Sequence, residues 1–242
     1  MDFEAVITLM ALGAISLMHV LHVPVARWLD RVWPNWSIAA GGFAVGYVFL
    51  LLLPKLTLLA NKSMVQLPQA PMIGVSLLYL CVLAGFICFW IVDLLEEERK
   101  EVTGFWRRVQ ITSFFLYALL TGEMVVADPD FVPLAYGLAI SALVFHLAGM
   151  NHLFHHWHPG YFQSRMRWLM VLGTVLGAAG AWLDVWNGKF NGFINAFMGG
   201  AILINVIYYE LPRRGIRKIR PFLLGTLAFA ATILCIRFLL GR

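Results

Sequence analysis

Four of the seven histidines in this 242-residue chain fall within seven positions: His152, His155, His156 and His158. If that stretch is helical, His152, His155 and His156 share a face through i, i+3 and i+4 spacing, so their imidazoles can converge. Neutral imidazole is a good donor to zinc, iron, copper or nickel. His146 lies less than two turns earlier, and His19 and His22 form a second pair one turn apart. A carboxylate such as Asp93 or Glu210 would complete a mixed nitrogen and oxygen shell, and Glu123 is a further carboxylate inside an apolar stretch. The chemistry this set points to is the binding of a divalent transition-metal cation (Zn, Fe or Mn), taken as a substrate and not as a resident cofactor. The plainer alternative is an interfacial run of His and Trp, rings that tolerate the headgroup zone without a metal. For His19 and His22 alone that plainer reading is the stronger one.

The elements that position these residues are set by composition. Of the residues, 61% are hydrophobic and 13% charged, and the mean hydropathy is +0.79. A water-exposed globule needs about 25% charged residues to cover itself, so lipid is the solvent of this chain's surface. Eight segments approach the roughly 20 apolar residues that cross a bilayer: Ala5–Leu21, Ile38–Leu53, Met72–Leu94, Val109–Ala127, Phe131–Met150, Trp168–Trp186, Gly192–Leu211 and Phe222–Leu240. The expected fold is an all-α integral membrane bundle of eight helices, a single transmembrane domain over residues 1–242. Asp128-Pro129-Asp130 is so tight a connection that the fourth and fifth helices must be antiparallel neighbours.

The net charge of +5 is not a nucleic-acid signal, because the charges sit in short runs between apolar segments. Odd-numbered connections hold thirteen Lys and Arg and even-numbered ones hold three. The positive-inside rule therefore puts the odd loops in the cytoplasm and both termini outside. The expected location is a cell membrane crossed many times, the bacterial inner membrane. The acidic start Met1-Asp2-Phe3-Glu4 lacks the positive charge of a signal peptide. Cys81, Cys88 and Cys235 lie in apolar stretches without CxxC spacing, giving neither a disulfide framework nor a thiolate site. With this topology His19, His22, Asp93, His146, the His152–His158 run and Glu210 fall toward the cytoplasmic end, while Glu123 lies in the outer part of helix four. Ionisable groups at membrane depth are costly and mark a pathway or site by default. The obligatory partner is the lipid bilayer, and the chain leaves room for a homodimer.

Helix two carries Gly41-Gly42 and, twelve residues after Gly42, Pro54 preceded by Leu53. Helix seven carries Gly199-Gly200 and, twelve residues after Gly200, Pro212 preceded by Leu211. Four helices lie between the copies, so they cross in opposite directions, as the halves of an inverted-topology repeat do. Coincidence is the competing explanation, since Gly, Leu and Pro are common in membrane helices and the intervening residues barely match.

Eight helices, outside termini, a Gly-rich second helix from Ala39 to Leu50 running on to Pro54, and a seventh from Asn195 to Asn205 running on to Glu210-Leu211-Pro212 resemble the ZIP (zinc–iron permease) metal transporters. His146, Asn151, His152, His156, Tyr161 and Arg167-Trp168 are similar to a bacterial branch of ZIP-like proteins with a His-rich end to helix five. The resemblance spans nearly the whole chain and implies a ZIP-like bundle with an inverted repeat. It does not bring the family's ligands. ZIP transporters bind metal through His-Asn-x-x-Asp/Glu-Gly on helix four, where this chain reads Tyr117-Ala118-Leu119-Leu120-Thr121-Gly122. On helix five His146 matches the leading His of a His-Glu-x-Pro-His motif, but Leu147 replaces the acid and Gly149-Met150 the Pro-His.

Three functions compete. The first is a ZIP-like transporter of a divalent metal cation with a non-standard inner site built from His146 and the His152–His158 run. The second is a ZIP-fold membrane protein that does not transport and serves as a metal sensor or partner-binding component. The third is a membrane di-iron oxygenase, suggested by the HxxHH pattern of His152, His155 and His156, although such a site wants about eight His in several boxes and the chain has seven. The expectation is a transporter and not an enzyme.

Overall fold

The computed structural model describes residues 3–58, 71–97, 104–126, 132–157, 159–185, 191–211 and 218–239, and among these the chain is helical with no strand. In chain order the helices are α1 (Phe3–Val32), α2 (Trp36–Tyr47), α3 (Pro71–Glu97), α4 (Gly104–Val126), α5 (Pro133–Trp157), α6 (Arg167–Trp182), α7 (Asn191–Asn205) and α8 (Ile219–Leu239). Among the described residues seven helical stretches, counted with their π turns, are long and apolar enough to cross a membrane. The expected sixth span, which forms α6 with 16 residues, is not one of the seven. Outward-facing side chains such as Met10, Leu80, Leu224, Leu227 and Phe238 are large, apolar and exposed, which is the surface of a multi-pass membrane protein.

Two helices run further than the apolar segments alone suggest. The first continues eleven residues past Leu21 to Val32, with Pro24 inside it, and Trp36 Nε1 donates to Asp30 Oδ1 at 2.9 Å to fix the turn into α2. The fifth continues past Met150 to Trp157, which carries the His152–His156 stretch on helix. In both cases the extra turns mix charged, polar or ring-bearing residues with apolar ones, so hydropathy loses them while the backbone ladder does not.

Among the described residues three five-residue π-helical stretches interrupt the helices. One follows α2 at Val48–Leu52, one precedes α6 at Phe162–Met166, and one follows α7 at Val206–Glu210. Helix resumes over 53–58 after the first. A π turn accommodates one extra residue and leaves backbone groups in altered register. Arg237 Nη2 answers one of them, donating to the Leu50 carbonyl at 2.9 Å.

By packing the chain falls into two compact units. The first holds α1, α2, α5, α8 and the stretch Val206–Glu210. Its α2 and α8 approach until backbones touch: a Cβ at Gly42 would overlap the Phe222 carbonyl oxygen, and one at Gly225 the Ala39 carbonyl oxygen. Thr226 Oγ1 spans the same seam to the Gly42 carbonyl at 3.0 Å. Small residues serve this end in a membrane, where association rests on close van der Waals packing because lipid is as apolar as leucine. Phe229 then fills the space beyond, edge-on to Phe43 at 5.0 Å.

The second unit holds α3, α4, α7, most of α6 and the tail of the second helix from Leu52. Here α7 and α3 touch in the same manner: a Cβ at Gly200 would overlap the Val82 carbonyl oxygen, and one at Gly85 the Phe197 carbonyl oxygen. A further glycine seam joins α4 and α6, Gly122 against the Thr174 carbonyl and Gly177 against the Leu119 carbonyl. Leu56, on the tail beyond the first π stretch, lies buried against Gly199.

Candidate functional site

Within the first unit, α1 and α5 bring four of the sequence-selected histidines together. His19 and His22 are buried, one turn apart on α1. His22 meets His152 edge-on with ring centroids 5.9 Å apart. Phe162, the buried first residue of its π stretch, packs at 6.1 Å from the His22 ring and 5.6 Å from the His155 ring. His152 itself is exposed and His155 half-buried, so the set grades from the protein interior to its surface. His146 is buried higher on the same helix.

The bond that orders this set involves Asn151, which is buried on α5. Asn151 Nδ2 reaches the Met18 carbonyl oxygen at 3.4 Å, a contact only an amide donor can make, and this directs Oδ1 toward His19. Oδ1 lies 3.1 Å from His19 Nδ1 and can only accept, so Nδ1 carries the hydrogen. The neutral ring then presents Nε2 as a lone pair, and among the described residues that buried atom has no hydrogen-bond partner. An imidazole oriented through one nitrogen and open at the other is how a metal-ligating histidine is held. Asn151→Leu is therefore expected to cost about 1–3 kcal/mol of stability, because it leaves both ring nitrogens of buried His19 without a partner. A double-mutant cycle with His19→Leu should recover part of that loss, and chemical unfolding in detergent measures both.

The remaining sequence-selected residues do not all join this set. The side chains of His156, Asp93 and Glu210, and His158 altogether, lie outside the described residues. Among the described residues no three of His, Cys, Asp and Glu converge as a metal shell. Glu123 belongs to the second unit. It is fully buried on α4, among the described residues both carboxyl oxygens lack a hydrogen-bond partner, and Lys55 acts on it electrostatically. Thr121 Oγ1 on α4, and the side chains of Asn195 and Asn205 on α7, are likewise buried with unpartnered polar atoms.

His19 and its partner Asn151 are 132 positions apart, and spacing cannot report a contact between two helices. The asparagine was visible beside the His-rich run, but nothing local marks it as the group that orients His19. Compared with protein-family models, with curated proteins and with solved structures, the chain matches none.

Proposed function

We propose that this chain is an inverted-repeat membrane transporter, ZIP-like in fold, that carries a divalent transition-metal cation across the bacterial inner membrane. The eight apolar segments support eight crossings, and the lysine and arginine bias supports both termini outside. The observation that carries the reading is the matched pair of broken helices. Gly42 and Gly200 each stand six residues before a five-residue π stretch, Val48–Leu52 and Val206–Glu210, with Pro54 and Pro212 at equal distances beyond. Each glycine is also buried against the carbonyl of a residue three positions before another seam glycine, Phe222 before Gly225 and Val82 before Gly85. Repeated helices interrupted at corresponding places are the architecture in which transporters place sites and alternate access.

The substrate class comes from the imidazoles. His19 offers a lone pair oriented by Asn151, and His22, His152 and His155 continue from it toward the surface, a route for a borderline-soft cation. His146, His156, His158 and Glu210 are the further donors assigned to this path. Elemental analysis of purified protein, after loading with zinc, manganese or ferrous iron and desalting, tests the assignment. Exchangeable metal, reduced at least tenfold by His19→Ala with His22→Ala, is expected. Metal content equal to the detergent blank would remove it. The second reading, a ZIP-fold protein that senses metal or binds a partner without transport, is favoured by the lack of a three-donor shell among the described residues. It predicts metal binding without metal movement.

A further inference from the structure

Glu123 is used by neither the imidazole path nor the helix seams. Its helix is fastened to α6 at the residue and over the turn before it, Gly122 against the Thr174 carbonyl and Gly177 against the Leu119 carbonyl and the Glu123 backbone nitrogen. The carboxyl is thus held in place, fully buried, and among the described residues both its oxygens lack a hydrogen-bond partner. An isolated carboxylate in such a place costs several kcal/mol and is tolerated only where its charge is compensated or exchanged for a proton. Among the described residues Lys55 is the charged group acting on it. Over 172–182 of α6 and 191–205 of α7 there is no ionisable side chain, and α3 contributes Tyr79, Cys81, Cys88 and the acids Asp93, Glu96 and Glu97 at its far end. On α4 itself stand Tyr117, Arg107 and Arg108. Lys55 sits on the helical tail just beyond the π stretch Val48–Leu52, next to Leu56, which packs against Gly199.

From this placement we propose that Glu123 is a proton-binding site, and that Lys55, borne on the tail of the π-interrupted helix, ties the carboxyl's charge state to the position of that tail. With the proton on, Glu123 is neutral and exerts no pull on Lys55. With the proton off, the carboxylate and the ammonium attract, at an effective dielectric far below that of water. A proton entering or leaving would thus bias where the tail sits. As a coupling device this rests on the transporter reading, but the binding of a proton does not.

The test is reaction with dicyclohexylcarbodiimide, an apolar reagent that attacks a protonated carboxyl, on purified protein in detergent, read by peptide mass spectrometry. An adduct on Glu123 is expected that falls by about tenfold per pH unit above its midpoint. Glu123→Gln should lack it, and Lys55→Ala should show more of it than wild type at a given alkaline pH. The wild-type profile decides the matter even if a variant fails to fold. No adduct on Glu123 at any pH, an adduct independent of pH, or protection by sodium in place of loss with pH would each overturn the proposal. Labelling needs no transport, so a protein that fails to move metal but labels in this way refutes only the transporter reading.

Discussion

Replacing Gly42 or Gly200 with leucine is expected to abolish recovery of folded, monodisperse protein from membranes. At both positions even a methyl would overlap a backbone carbonyl of the neighbouring helix, Phe222 for the first and Val82 for the second. Backbone cannot swing aside as a side-chain end can, so the helices must separate along the whole seam. Overpacking a well-packed site costs about 1–3 kcal/mol where side chains can yield, and the cost here should exceed that range. Separation would also remove the Thr226 bond to the Gly42 carbonyl and pull Phe229 from Phe43. Alanine should give a weaker form of the same defect, seen as a lower melting temperature. Gly13 supplies the control, since a Cβ there meets nothing within 4 Å and Gly13→Ala should leave the melting temperature unchanged or slightly raised. Equal tolerance of alanine and leucine at Gly42 and Gly13, by fluorescence-detected size exclusion, would contradict the seam.

Inserting one alanine between Leu52 and Leu53 should be nearly as severe, for a different reason. The π stretch Val48–Leu52 already accommodates one extra residue, and a second one placed in the regular helix beyond it is not absorbed. Everything beyond then rotates by about 100° and shifts by about 1.5 Å. Leu56, 1% exposed and seated against Gly199, would leave its place, and Lys55 would be turned to another face of its helix. Emptying a buried leucine site costs about 2–5 kcal/mol. One alanine inserted after Asn205 should produce a comparable loss, because the stretch Val206–Glu210 that it would rotate packs against α2. Unfolding midpoints in detergent measure both, and an insertion that leaves the midpoint unchanged would mean that the register beyond it is not needed for packing.

The membrane character of the chain was legible from composition, because a surface with so few charges has one suitable solvent. Helix positions were legible where apolar runs define them, as in α3 and α8, and were lost where polar turns prolong a helix, as beyond Leu21 in α1 and Met150 in α5. The paired Gly-Gly and Leu-Pro signals lie on two of the three helices that carry a π stretch. They did not reveal the π stretches, since one inserted residue leaves no signature in an apolar run. For the candidate site, the histidines on α5 were conspicuous by spacing, whereas the oriented His19 was not. Its role depends on Asn151 and the Met18 carbonyl, and such a contact exists only once α1 lies beside α5. Glu123 was visible as a charge in an apolar helix. Its full burial and unpartnered oxygens come from the glycine seam with α6, which the residues of α4 alone do not announce.

The central claim is that this protein moves a divalent metal cation, and the direct measurement is uptake into sealed proteoliposomes containing a metal-sensitive fluorophore. Zinc, manganese or ferrous iron added outside should enter saturably, at a rate that falls at least tenfold when His19 and His22 are both replaced by alanine. Entry no faster than into protein-free vesicles, for all three metals and with the gradient imposed in either direction, would contradict the account.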